Sequence, residues 1–233
     1  MSKIQLGKCG KQVDWADYSW NPIIGCKQGC SYCYAKKLND RYKFVQNWNE
    51  PKLTKRFYEM DNINFNLKIP KDRKPMAQAI SPDRPIVFVG DMTDIFGNWV
   101  DDLEIKRIMQ KQIGESVIER TMRKCSEYPN ILFLFLSKNV AGIYEFEKRY
   151  IKPKNVLLGA TITDTWGYID VDFLSIEPLL GAFNFPIPDH RIKFVIVGAM
   201  TGANAIEPKK EWIESIKHPT IYWKDNIKKY LGE

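Results

Sequence analysis

The chain has 233 residues, is 44% apolar, and carries a formal charge of +7 with an isoelectric point near 9.0. That length predicts one domain with a substantial core, and no run approaches the ~20 apolar residues of a membrane span. The N-terminus shows no apolar signal region, so a cytoplasmic protein with no membrane partner is expected.

Five cysteines, clustered rather than dispersed, predict reduced thiols rather than disulfides. The basic balance suits a polyanionic partner or phosphorylated substrate, nucleic acid or a nucleotide among them. A lysine-rich soluble surface explains the same charge.

A first strand leads into Gly25-Cys26-Lys27-Gln28-Gly29-Cys30-Ser31-Tyr32-Cys33-Tyr34, which holds three of the five cysteines at Cys-x3-Cys-x2-Cys spacing. Residues 36–84 read as an irregular, basic insertion. Short apolar runs follow at 85–90, 131–136, 156–161, 172–176, 194–198 and 220–223, with helical segments clearest at 100–125, 139–150 and 208–217. Continuous rather than alternating apolar runs predict strands buried on both faces, and the intervening helices predict parallel β/α units. The expected fold is α/β: an incomplete TIM-type barrel of about six parallel strands, one domain over residues 1–233, short of the eight strands of a full barrel.

Ligands of such folds gather at the carboxyl ends of the strands. Here those ends are polar: 90–94, 137–139, 161–164, 175–178, 198–202 and 224–225. One polar cluster per strand end is the expected lining of a functional rim.

The cysteine spacing lets one loop wrap three thiolates around a metal centre. Cubane clusters are normally held by four cysteines, so three imply a fourth ligand elsewhere or an iron left open for a substrate. Zinc is the alternative. It takes four tetrahedral ligands, and Cys9 is available as the fourth beside Cys26, Cys30 and Cys33. That reading makes the chain a non-enzymatic nucleic-acid-binding module with a structural zinc site. An iron–sulfur electron-transfer protein is a third reading, to which the polar strand ends are foreign.

Cys26-x3-Cys30-x2-Cys33, with Tyr32 before the last cysteine, resembles the signature of the radical S-adenosylmethionine (radical SAM) superfamily. Further stretches resemble a phage-associated family of small radical-SAM-like proteins. They are Trp20-Asn21-Pro22-Ile23-Ile24-Gly25-Cys26, Cys33-Tyr34-Ala35, Met92-Thr93-Asp94-Ile95-Phe96, Leu136-Ser137-Lys138, Leu158-Gly159-Ala160-Thr161, Leu174-Ser175-Ile176-Glu177-Pro178-Leu179-Leu180-Gly181 and Val195-Ile196-Val197-Gly198. The resemblance implies that Cys26, Cys30 and Cys33 hold three irons of a [4Fe–4S] cluster whose fourth iron binds S-adenosylmethionine. It also implies reductive cleavage of S-adenosylmethionine to a 5′-deoxyadenosyl radical that abstracts hydrogen from a substrate. A reducing partner such as flavodoxin or ferredoxin is then expected.

The same resemblance suggests roles for other residues. Gly90, Asp91, Met92 and Thr93 occupy the turn that contacts the methionyl amino group, departing from the usual Gly-Gly-Glu form. Asp91 is the candidate ammonium partner, and Asp94 is either supporting or an N-cap. Thr161, Thr163 and Ser175 stand where ribose is held, although threonine is also at home in strands. Tyr32 matches the aromatic that reads the adenine edge, and Gly198 permits close approach of adenine or phosphate. Glu177, Lys138 and Lys224 are the catalytic candidates. A carboxylate flanked by apolar residues needs a partner, and the ribose hydroxyls or either lysine would serve.

Overall fold

The computed structural model describes residues 3–100, 115–163, 170–184, 186–202 and 204–232. Its elements form a mixed α/β fold with an eight-stranded, mostly parallel sheet and a separate two-stranded ribbon. The chain divides into two compact units, Met1–Leu157 and Leu158–Glu233. No described helix is long and apolar enough to cross a membrane.

In the first unit, β1 (Gly7–Lys8) pairs antiparallel with β2 (Tyr18–Trp20). Strand β2 is the strand that delivers the cysteine loop, and it runs parallel to β5 (Ile86–Val89). In turn β5 runs parallel to β6 (Leu132–Ser137), with Val89 opposite Phe135. Every residue of β5 is buried, as expected of a strand covered on both faces.

The segment read as an insertion is built of several short elements. Helix α1 (Tyr34–Tyr42) follows the cysteine loop, and β4 (Lys52–Leu53) pairs with β3 (Ile23–Ile24). Helices α2 (Lys55–Tyr58) and α3 (Pro75–Ile80) come next. A buried ion pair ties this segment to the sheet. Arg73 Nε and Nη2 donate to the two Asp17 oxygens at 2.9 and 2.8 Å, and the Ile86 N–H donates to the same carboxylate at 2.7 Å.

Helix α4 (Val117–Ser126) opens on a capping box, in which Ser116 and Glu119 satisfy each other's backbone N–H groups. The helix expected over 100–125 is shorter at its start, because Ser116 is extended and caps it, and a separate short 3-10 turn covers Asn98–Val100; residues 101–114 lie outside the described ones. Cys125 is fully buried near its end, which suits a packing role. Helix α5 (Val140–Arg149) matches the expectation over 139–150.

In the second unit, β7 (Val156–Ile162, which begins two residues before the boundary) pairs parallel with β8 (Phe173–Ile176), β8 with β9 (Phe194–Val197), and β9 with β10 (Ile221–Trp223). Six of the eight strands are the six apolar runs of the sequence, and β1 and β2 add two. The helix expected over 208–217 is shorter, α6 (Lys210–Ser215), because Ile216 is already extended. A last short helix is α7 (Asp225–Lys228).

Parallel register puts the second unit's side chains in rows. Ala160, Leu174, Val195 and Ile221 make one row, and Ile162, Ile176, Val197 and Trp223 the next on the same face. The opposite face starts with Gly159, Phe173 and Phe194, whose rings stack with centroids 5.0 Å apart. A Cβ on Gly159 would lie 2.3 Å from the Phe173 ring, so only glycine fits there. The next row on that face is Thr161, Ser175, Ile196 and Tyr222. Side chains alternate along a strand, so that face continues past the strand ends to Thr163, Glu177, Gly198 and Lys224.

Candidate functional site

The cysteine loop is held from several sides. Its entry needs Gly25, at φ 100°, where a Cβ would lie 2.8 Å from the Trp48 carbonyl oxygen. The Gly25 N–H donates to the Met92 carbonyl at 3.1 Å, and the Cys26 N–H to Trp48 at 2.9 Å. Thr93 Oγ1 donates to the Gly25 carbonyl at 2.7 Å. At the exit, Cys33 caps α1: the Lys36 N–H donates to its Sγ at 3.3 Å.

Asp94 latches this loop to β6. Its Oδ1 accepts from Ser137 Oγ at 2.6 Å and the Phe96 N–H at 3.2 Å. Its Oδ2 accepts from the Lys138 N–H at 2.8 Å and from Gln28 Nε2, inside the cysteine loop, at 3.1 Å. Asn139 adds a bond from Nδ2 to the Phe96 carbonyl at 2.7 Å. A Cβ on Gly142 would lie 2.3 Å from that same carbonyl, so glycine lets α5 approach the 93–97 turn.

The three thiols feel one another and the surrounding charges. Burial pushes Cys26 up to about 11, against hydrogen bonds from the Gln28 and Asp94 N–H groups, while the Asp94 carboxylate and Cys33 add to the rise. Burial also raises Cys30; the Lys138 cation pulls it down and Cys33 pushes it further up. The Lys138 ammonium lies 5.3 Å from the Tyr32 ring centroid. Thus Lys138, Tyr32 and Cys30 share one corner of the loop.

The 90–93 turn divides its labour. Met92 is buried with Cys26, Ala35 and Trp48, and Cys33, Tyr34 and Trp99 pack against that cluster. Asp91 gives its carbonyl to the Tyr34 hydroxyl at 2.9 Å. Burial raises its carboxyl, while a hydrogen bond from Asn21 and the charge of Arg56 pull the other way. Its Oδ1 is buried without a hydrogen-bond partner. Cys9 belongs to this side: burial pushes it up to about 12, with Asp91 and Asp17 raising it and Lys74 lowering it. Its charged neighbours are these residues, not the loop cysteines.

In the second unit, Lys224 and Glu177 form an ion pair of 2.6 Å, the lysine side chain 6% and the glutamate 28% exposed. A Cβ on Gly198 would lie 3.0 Å from Lys224 Cδ and 3.1 Å from Glu177, so glycine makes room for the pair. Ser175 is buried, and Thr161 and Thr163 are half-buried in the same two rows. The polar stretch 161–164 ends on Asp164, outside the described residues.

The sequence profile of a family described as "Protein of unknown function (DUF5131)" matches residues 10–223. The chain belongs to this family. No curated protein and no solved structure matches it. The matched span contains Cys26, Cys30, Cys33 and both polar regions; Cys9 falls one residue before it.

Among the described residues, no three of His, Cys, Asp or Glu converge as ligands of one metal ion. That arrangement belongs to a single ion with ligands at about 2.0–2.3 Å, whereas the resemblance assigns the thiolates to three different irons. Three observations fit an anionic, sulfur-rich group at the loop. The donor set is three free thiols. N–H groups of Gln28, Asp94 and Lys36 already point at two of the sulfurs. The Trp99 indole N–H, packed on the Cys26 cluster, is buried without a hydrogen-bond partner.

Sequence reasoning overlooked Gln28 and Trp99. A polar residue between two loop cysteines was the available signal for Gln28. Nothing local marks Trp99, which reaches the loop through the fold.

Proposed function

We propose that the chain is a radical SAM enzyme built on a partial TIM-type barrel, with Cys26, Cys30 and Cys33 holding a [4Fe–4S] cluster. The observation that carries this reading is the loop itself: three thiols within electrostatic reach, N–H groups already directed at sulfur, and both ends clamped by backbone hydrogen bonds. When bound, the cluster and S-adenosylmethionine supply one-electron cleavage of a carbon–sulfur bond and a 5′-deoxyadenosyl radical.

The chain's own residues hold and tune. Burial keeps the unloaded Cys26 thiol protonated, so loading releases protons and ligation strengthens with pH. N–H donors to sulfur and the Lys138 cation favour the more negative state, which raises reduction potential. Tyr32 and the turn of Gly90, Asp91, Met92 and Thr93 flank the loop as binding groups for S-adenosylmethionine. In the second unit, Thr161, Thr163, Ser175, Glu177, Gly198 and Lys224 offer hydroxyl, carboxylate and ammonium groups suited to ribose and phosphate. The net positive charge favours a nucleotide or nucleic acid substrate. A cytoplasmic setting with flavodoxin or ferredoxin as reductant completes the reading.

The test is anaerobic reconstitution with iron and sulfide, reduction by dithionite, addition of S-adenosylmethionine, and mass spectrometry for 5′-deoxyadenosine. Its appearance in wild type, its loss in Cys30→Ser and its persistence in Cys9→Ser are expected. One zinc per chain with S-adenosylmethionine left intact would overturn the proposal.

A further inference from the structure

Helix α1 runs directly from the cysteine loop to an exposed pair of aromatic rings. Its C-cap, Lys43, sits at φ 55°, a left-handed conformation uncommon for a residue with a Cβ. The fold holds it there. The Lys43 N–H donates to the Asn39 carbonyl at 2.7 Å. The buried Asn39 side chain then bonds Val45 twice, Nδ2 to its carbonyl at 3.1 Å and Oδ1 from its N–H at 2.8 Å.

The result of this lock is that Tyr42 and Phe44, 56% and 53% exposed, stand side by side with ring centroids 5.8 Å apart. The Arg41 guanidinium lies over the Tyr42 ring at 5.2 Å. Two large exposed rings fixed by a buried amide serve no core. An apolar surface kept in place this way marks a binding site.

The charge around the rings selects the partner. Lys36, Lys37, Arg41 and Lys43 are all exposed along the helix and its end. Asp40 is the one acid among them, and Lys36 engages it at 3.1 Å. Cations interleaved with exposed rings are what single-stranded nucleic acid requires, phosphates on the cations and bases on the rings. A duplex hides its base faces and would use only the charges.

We propose that α1 and the turn after it form a docking platform for single-stranded nucleic acid, with Tyr42 and Phe44 as stacking rings. The nine residues of α1 span about 14 Å at 1.5 Å per residue, so a strand stacked on Tyr42 lies one short helix from Cys33. This inference deepens the nucleic-acid part of the proposed function and is independent of any cluster.

The experiment is fluorescence anisotropy with labelled oligo-dT, oligo-rU and a DNA duplex of equal length, on the full chain as purified. Single strands of one or both kinds should bind, and more tightly than the duplex. Tyr42→Ala and Phe44→Ala should each weaken binding by about five-fold or more, the loss expected for one stacked base. Lys37→Ala should lower the slope of log affinity against log salt by about 0.7. Tyr144→Ala removes another exposed ring, one with Lys148 4.2 Å from its centroid, and should change nothing. Circular dichroism should show every variant folded.

No single-strand binding by wild type at about 50 mM salt overturns both the platform and the nucleic-acid reading. Binding that survives the Tyr42→Ala/Phe44→Ala double variant within about two-fold, or equal affinity for the duplex, overturns the platform alone. Neither result touches production of 5′-deoxyadenosine, so the two failures are distinguishable.

Discussion

Replacing Asp94 by asparagine tests whether the cysteine loop is latched to the sheet by a carboxylate. The side chain is buried, and each of its oxygens accepts two hydrogen bonds. An amide has one acceptor oxygen. If its NH₂ takes the Oδ2 place, it faces the Lys138 N–H, and Gln28 must turn its amide over. If it takes the Oδ1 place, it faces the Phe96 N–H, and Ser137 must rotate its hydroxyl. Either way one backbone donor is left unsatisfied, at about 1–3 kcal/mol, and the three remaining bonds lose their charge assistance.

A total near 3 kcal/mol corresponds to a fall in Tm of about 6–12 °C for a chain of this size. Gln28→Ala, which removes only the loop's own bond, should cost about 1 kcal/mol. Thermal denaturation by circular dichroism on the unloaded chain measures both. A Tm for Asp94→Asn within about 2 °C of wild type, or one no lower than that of Gln28→Ala, would refute the latch.

Glu177→Ala and Lys224→Ala should each cost about 2–3 kcal/mol in urea unfolding, the low range because the glutamate is partly exposed. The double variant should cost little more than either single one, and additive losses would show that the pair is not coupled. Asp91→Asn tests the raised carboxyl of Asp91. A buried acid whose folded pKa exceeds its unfolded value loses stability as pH rises through the folded value, and asparagine does not. The Tm of the variant relative to wild type should therefore rise as pH increases above the ordinary carboxylate range; a relative Tm that falls with pH counts against that assignment.

The second unit was the more legible part of the chain. Runs such as 194–198 are apolar without alternation because both faces of β9 are covered, and that burial is written directly into residue type. Polar residues that follow such runs must sit at strand ends, so Glu177 and Lys224 were visible as rim residues. Their mutual pairing was only one of several options, because it depends on register between β8, β9 and β10 and on the missing Cβ of Gly198.

The first unit was harder to read. Residues 36–84 looked irregular because α2 and α3 are too short to show a period, and their anchors, such as the buried Asp17–Arg73 ion pair and the bonds of Lys74 to the Cys9, Gly10 and Val13 carbonyls, join residues far apart in sequence. Asp94 resembled a simple cap in sequence, yet three of its four donors come from residues far along the chain. Cys9 was open as a fourth ligand, whereas the fold sets it beside Asp91, Lys74 and Asp17.

By itself the sequence determined what depends on residue type and near neighbours. That includes the parallel strands, the three-thiol loop and the positive charge. Tertiary structure decided what depends on distant chain segments meeting. It brought Gln28, Ser137 and Lys138 onto one carboxylate, packed the half-buried Trp99 on the Cys26 cluster, and closed Lys224 onto Glu177. The physical reason is that hydrogen bonds and ion pairs act over a few ångströms, while sequence separation carries no distance until the chain has folded.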